Sequence, residues 1–224
     1  MTPQKKQGKY RFTFGPWNIS MGADPFGPPV RKEVPFAAKI REYKKLGFDG
    51  VQFHDDDVVE ADLDHAATMK GVAKVKKMLE GEGLFCEFIA PRLWEHPKTI
   101  DGAYTSNSAA ERKYAIERSK RAVDIARAMD CKDIVLWLAR EGTYIREAKD
   151  PIASSQRILD AVNALLEHDP DIRILAQASG QDRSGRSRSD NHVVGAILRH
   201  ALIPSTTTLG SLDETWSRPG ARVL

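Results

Sequence analysis

The chain has 224 residues, 41% hydrophobic and 29% charged, and 34 Lys and Arg against 31 Asp and Glu give a formal net charge of +3. That is enough apolar material for one large soluble core or two small ones. With no basic stripe, no apolar run near the ~18 residues of a membrane span and no apolar leader behind Met1, the composition argues against nucleic acid and membrane and makes the cytoplasm the default compartment.

Residues 1–10 form a polar lead, and residues 11–15 read as a first strand that ends at Pro16 and Trp17. Residues 21–35 are rich in Gly and Pro and predict a loop. Its aromatic residue, Phe26, either packs back on its own domain or reaches a partner subunit. Phe36, Ile40 and Tyr43 then recur at helical spacing, with Gly47 as the stop. The next strand, residues 50–54, is apolar at Val51 and Phe53 and breaks into His54, Asp55, Asp56 and Asp57. A second helix over residues 66–80 places Met69, Val72, Val75 and Leu79 on one face, and residues 84–89 make a third strand running out to Trp94.

Ser108 and Glu111 fit a capping box, and Ala115, Ser119, Ala122, Ala126 and Met129 follow at steps of three and four, which predicts a long helix. Residues 133–138 form a fourth strand. Residues 154–167 form a further helix with Ile158, Ala161, Val162, Leu165 and Leu166 inward, and a fifth strand begins at Ile172. Cys86 and Cys131 have no metal-ligand spacing and sit in apolar surroundings, so they read as reduced core thiols in preference to a disulfide.

Strands alternating with helices imply parallel βαβ units in a sheet covered on its faces. Four successive strands end in a ring: Trp17, His54, Trp94 and Trp137. In a β/α barrel those ends meet at one rim, where active sites are built. Aromatic walls there suit the C–H faces of a sugar; a single tryptophan at a strand end reads more readily as rim packing, but four rings in register favour a pocket. His54 and Asp57 suit an oriented general base, because a nearby carboxylate fixes the imidazole tautomer. The competing reading is that the acids only cap the next helix or face solvent.

The segments 11–17 (RFTFGPW), 24–27 (DPFG), 53–57 (FHDDD), His96-Pro97, 101–107 (DGAYTSN) and 137–142 (WLAREG) together closely resemble xylose isomerase of the shorter, actinobacterial type, over roughly residues 10–173. The resemblance implies a (β/α)8 TIM barrel, homotetrameric in the family, that interconverts D-xylose and D-xylulose with two divalent cations, Mg, Mn or Co. It implies His54 as the base that opens the cyclic sugar and Asp57 as the carboxylate that orients it. Trp17, Trp94 and Trp137 match the walls of the pocket, and Phe26 matches the aromatic inserted by a neighbouring subunit. Family members then move a hydride between C2 and C1, with the cations as Lewis acids.

The family pattern is lost near residue 174. By ungapped count Gln177 stands at the family's metal-ligand glutamate and Ser179 at its lysine, and an amide is a poor ligand for a hard dication. No later carboxylates take up the remaining ligand positions, and the last lysine is Lys149. The expectation is therefore an incomplete barrel of about five βα units over residues 1–176 and a divergent, poorly ordered tail over 177–224, with a shift of reading frame near codon 174 as its preferred origin. No metal ligand is identifiable, so the implied isomerase would be impaired. The alternatives are an inactive fragment, a sugar-binding or assembly module, or another isomerase, epimerase or endonuclease of the wider barrel group.

Overall fold

The computed structural model describes residues 10–22, 27–141 and 148–177, with the backbone alone of Gln177. Expectations resting on Phe26, on Ser179 and on the tail beyond Gln177 lie outside the described residues. Five strands, β1 (Thr13–Phe14), β2 (Gly50–His54), β3 (Phe85–Ala90), β4 (Asp133–Trp137) and β5 (Arg173–Gln177), pair in the order β1-β2-β3-β4-β5. Every pairing is parallel, and by that order each spatial neighbour is also the next strand in sequence. That order is the one a β/α barrel uses, here through five of the eight strands that close one.

Among the described residues the α-helices are α1 (Phe36–Lys45), the short α2 (Asp55–Val58) directly after β2, α3 (His65–Gly81), α4 (Ala109–Ala128) and α5 (Pro151–His168). The expected periodicities place the core. Ala115, Ser119, Ala122, Ala126 and Met129 are buried along α4, as are Ala161, Val162 and Leu165 along α5. Val51 and Phe53 are fully buried, and Phe53 meets Phe36 of α1 at a ring-centroid distance of 6.0 Å. Because side chains alternate along a strand, Gln52 takes the opposite face and donates to Thr13 Oγ1 at 2.7 Å. Cys86 and Cys131 are buried free thiols, as expected.

Element ends differ from the sequence-based expectation for local reasons. Strand β1 is two residues long and gives way to a 3-10 turn, Pro16–Asn18, where a proline removes a ladder donor. Helix α5 starts three residues early, since Asp150 accepts from the N–H groups of Ile152 and Ala153 and Pro151 sits at the first turn. At α4 the capping box is only half formed. Ser108 accepts from the Glu111 N–H at 3.4 Å, but the Glu111 carboxylate takes the Ser106 hydroxyl at 2.6 Å. No described helix is long and apolar enough to cross a membrane.

Candidate functional site

Strand β2 delivers His54 to the carboxyl end of the sheet, and the chain turns straight into α2, with Asp55, Asp56 and Asp57 as its first turn. Acids are favoured there by the helix dipole and by unpaired N–H groups. Asp57 Oδ2 accepts from the His54 backbone N–H at 2.9 Å and stands 3.0 Å from His54 Nδ1. Capping and pairing with the imidazole, which compete as readings of the sequence, are thus properties of one carboxylate.

The rings assemble in strand order. Trp17 lies 4.4 Å from His54 between centroids, His54 lies 5.1 Å from Trp94, and Trp94 lies 4.6 Å from Trp137. Only His54 and Trp137 are themselves strand residues. Trp17 belongs to the 3-10 turn after β1, and Trp94 stands four residues beyond β3, so the loops rather than the strand ends close the row. A Cβ on Gly15 would overlap the Trp17 indole, and the missing side chain is what lets that ring fold back over the strand end. Trp137 is the exposed end of the row, at 42%.

Sequence reasoning missed the arginines. Arg118 on α4 grips the fully buried Asp55 through Nε and Nη2 and reaches Asp56 at 2.9 Å. Arg121, one turn on, donates to Asp55 Oδ2 at 3.3 Å. From the loop after β3, Arg92 donates from Nε to Asp56 at 2.7 Å and from Nη2 to Asp57 Oδ1 at 2.9 Å, and its Nη2 also lies 2.9 Å from His54 Nδ1. Three arginines therefore offset the three aspartates. Burial pushes the Asp57 carboxyl up, but contacts from the His54 ring and N–H and the charge of Arg92 outweigh it and hold it below the usual carboxylate range.

The motif around Arg140 and Glu141 braces the same rim. Arg140 Nε donates to the Trp94 carbonyl at 3.2 Å, and Glu141 accepts from the Tyr104 and Thr105 N–H groups at 2.8 Å each. Lys149, buried, donates to the Asp101 carbonyl. Burial pushes the Glu141 carboxyl up, against the lowering effect of those N–H groups.

As to metal, the acids after His54 are committed to arginines, and no group of three or more His, Cys, Asp or Glu suited to an ion occurs among the described residues. Gln177, the last residue of β5, is of amide type where a carboxylate would serve a hard cation. The described residues do not fit a dication centre.

The fold has many relatives. A xylose isomerase domain-containing protein from Salmonella typhimurium superposes with a TM-score of 0.52 at 16% identity, over 87% of this chain and 58% of that one. A xylose isomerase-like TIM barrel protein from Mycobacterium smegmatis, solved in complex with magnesium, gives 0.52 at 14% identity over 86% and 61%. A 3-keto-D-glucoside 4-epimerase from E. coli gives 0.50 at 13% identity over 74% and 54%. The chain thus spans between about half and three fifths of the length of these structures. The family profile described as "Xylose isomerase-like TIM barrel" matches residues 40–186, well over half of the 224. The chain belongs to the xylose isomerase-like TIM-barrel family.

Proposed function

We propose that this chain binds an aldose against the Trp17, Trp94 and Trp137 rings and opens it with His54 and Asp57, the first stage of aldose–ketose isomerisation, with D-xylose as the substrate. The observation that carries the reading is the unbroken row of rings with His54 inside it and Asp57 3.0 Å from its Nδ1. Ring opening removes the proton of the anomeric hydroxyl as the C1–O5 bond breaks and returns a proton to O5. An imidazole oriented by a carboxylate serves such transfers near neutral pH. The aromatic faces hold the sugar's C–H surface and exclude water.

The proposal stops at ring opening, since the described residues do not fit the two cations, Mg, Mn or Co, that a hydride shift in this family would use. The magnesium in the Mycobacterium smegmatis structure belongs to that protein. A second reading is a sugar-binding module without turnover, which the row of rings alone would serve. Both readings are tested by following the anomeric equilibration of D-xylose by polarimetry, alongside quenching of tryptophan fluorescence. Ring opening predicts faster equilibration that His54→Gln abolishes. Quenching without acceleration selects the binding module, and neither effect overturns the reading altogether.

A further inference from the structure

Two neighbouring side chains ask opposite things of His54 Nδ1, while the Asp57 backbone N–H donates to the His54 side chain as one half of a capping box. The Asp57 carboxylate, 3.0 Å away, calls for a proton on Nδ1, whereas the Arg92 guanidinium, 2.9 Å away, is a donor only and calls for a bare nitrogen. One nitrogen cannot serve both. We propose that Arg92 is a positioning residue that sets the tautomer of His54, donating from Nη2 to Nδ1 and so placing the ring proton on Nε2.

The hydrogen-bond tally around the cluster decides between the two neighbours. Asp57 is already supplied without the imidazole, because Oδ2 accepts from the His54 N–H at 2.9 Å and Oδ1 from Arg92 Nη2 at 2.9 Å. Arg92 spends Nε on Asp56 at 2.7 Å, Nη1 on Glu95 at 3.2 Å and one Nη2 hydrogen on Asp57. The second Nη2 hydrogen has His54 Nδ1 as its partner. A proton on Nδ1 would set two N–H groups against each other across 2.9 Å beside a guanidinium that cannot lose its charge. The guanidinium is also held in place. It is flanked by Asp56 and Asp57, and the Arg92 backbone N–H is tied to the buried Asp55 at 2.8 Å, so it cannot drift off the ring without breaking several charged contacts.

The consequence deepens the ring-opening reading and rests on it. In this state His54 meets a ligand as a donor from Nε2, the form that returns a proton to O5. The form that accepts at Nε2 needs Nδ1–H turned to Asp57, and therefore needs Arg92 to release Nδ1. Arg92, and not Asp57 alone, then decides which half of the proton transfer His54 is ready for.

The test reads the tautomer directly in the full chain labelled with 15N-histidine at about pH 9, where an ordinary imidazole is neutral. Solution spectra, or magic-angle-spinning spectra should the chain self-associate, separate protonated from bare ring nitrogens, and His54→Gln identifies the resonances. The expected result is Nε2–H in the native chain, conversion to Nδ1–H in Arg92→Met, and retention of Nε2–H in Asp57→Asn, where Arg92 is intact. Nδ1–H in the native chain overturns the proposal, as does an unchanged tautomer in a folded Arg92→Met variant. Should Arg92→Met not fold, the native and Asp57→Asn spectra decide. Because no sugar enters the measurement, an inactive chain with the Nε2–H tautomer would refute ring opening and leave this inference standing.

Discussion

Arg118 holds Asp55 with two hydrogen bonds, Nε to Oδ2 at 3.0 Å and Nη2 to Oδ1 at 3.1 Å, across 63 positions of sequence. The pair ties the middle of α4 to the turn that carries His54, and both side chains are almost wholly withdrawn from water. Removing one partner of a buried pair strands the other charge, at a cost of about 3–5 kcal/mol. Arg118→Met is expected to lower the unfolding free energy by that order in a urea titration. Adding Asp55→Asn should restore part of it, because the stranded charge is gone. A loss under about 1 kcal/mol would show that Arg121 and Arg92 suffice for Asp55.

Gly15 supports a prediction about the pocket that leaves the core alone. A methyl group there overlaps the Trp17 indole, while the backbone of Gly15 is extended (φ −95°, ψ 136°) and open to alanine. Gly15→Ala should push the indole off His54 and forfeit an aromatic contact worth about 0.5–1.5 kcal/mol. D-xylose binding, read by fluorescence quenching, should weaken about two- to tenfold with an unchanged far-UV circular dichroism spectrum. Unaltered binding would remove Trp17 from the pocket.

Two carboxyls give opposite pH dependences. Asp57 is held below its ordinary value, so its contribution to stability is present above the unfolded pKa of about 3.9 and is lost as pH falls through the lower folded value. Glu141 is raised, so its contribution is present below about pH 4.3 and is lost as pH rises through the higher folded value. In denaturation midpoints measured against pH, Asp57→Asn should flatten the acid limb below about pH 4, and Glu141→Gln the decline above about pH 4.3. Limbs that persist in both variants would assign the pH dependence to other groups.

The sheet and the inward faces of the helices were legible because apolar spacing at two and at three to four residues encodes them locally. The rings themselves were legible because each stands at or shortly after the end of an apolar run, but their assembly into a row was less so, since Trp17 and Trp94 are brought in by loops beyond β1 and β3. The arginines were not. Arg118 and Arg121 lie among Ala115, Ser119 and Ala122, where a charged residue reads as a solvated edge, and their partners are more than sixty residues away. Arg92 stood in a loop with no period to betray it, and the four residues of α2 are too few to show one. An acid as buried as Asp55 requires a cation, but local sequence does not say which element supplies it.

Trp94 is the ring on which the row depends, since it touches both His54 and Trp137 and its carbonyl is held by Arg140. Phenylalanine keeps a flat apolar wall at that place and changes volume modestly, so Trp94→Phe should cost less than about 1.5 kcal/mol of stability and leave D-xylose binding within about threefold. It should nevertheless abolish the near-UV circular dichroism that arises from the close Trp94 and Trp137 indoles. Trp94→Ala opens a gap between His54 and Trp137, and water then reaches the imidazole. That variant should bind sugar at least about tenfold more weakly, a loss of about 1.4 kcal/mol. Equal binding by the alanine and phenylalanine variants would mean that Trp94 braces the rim through its carbonyl without meeting the sugar.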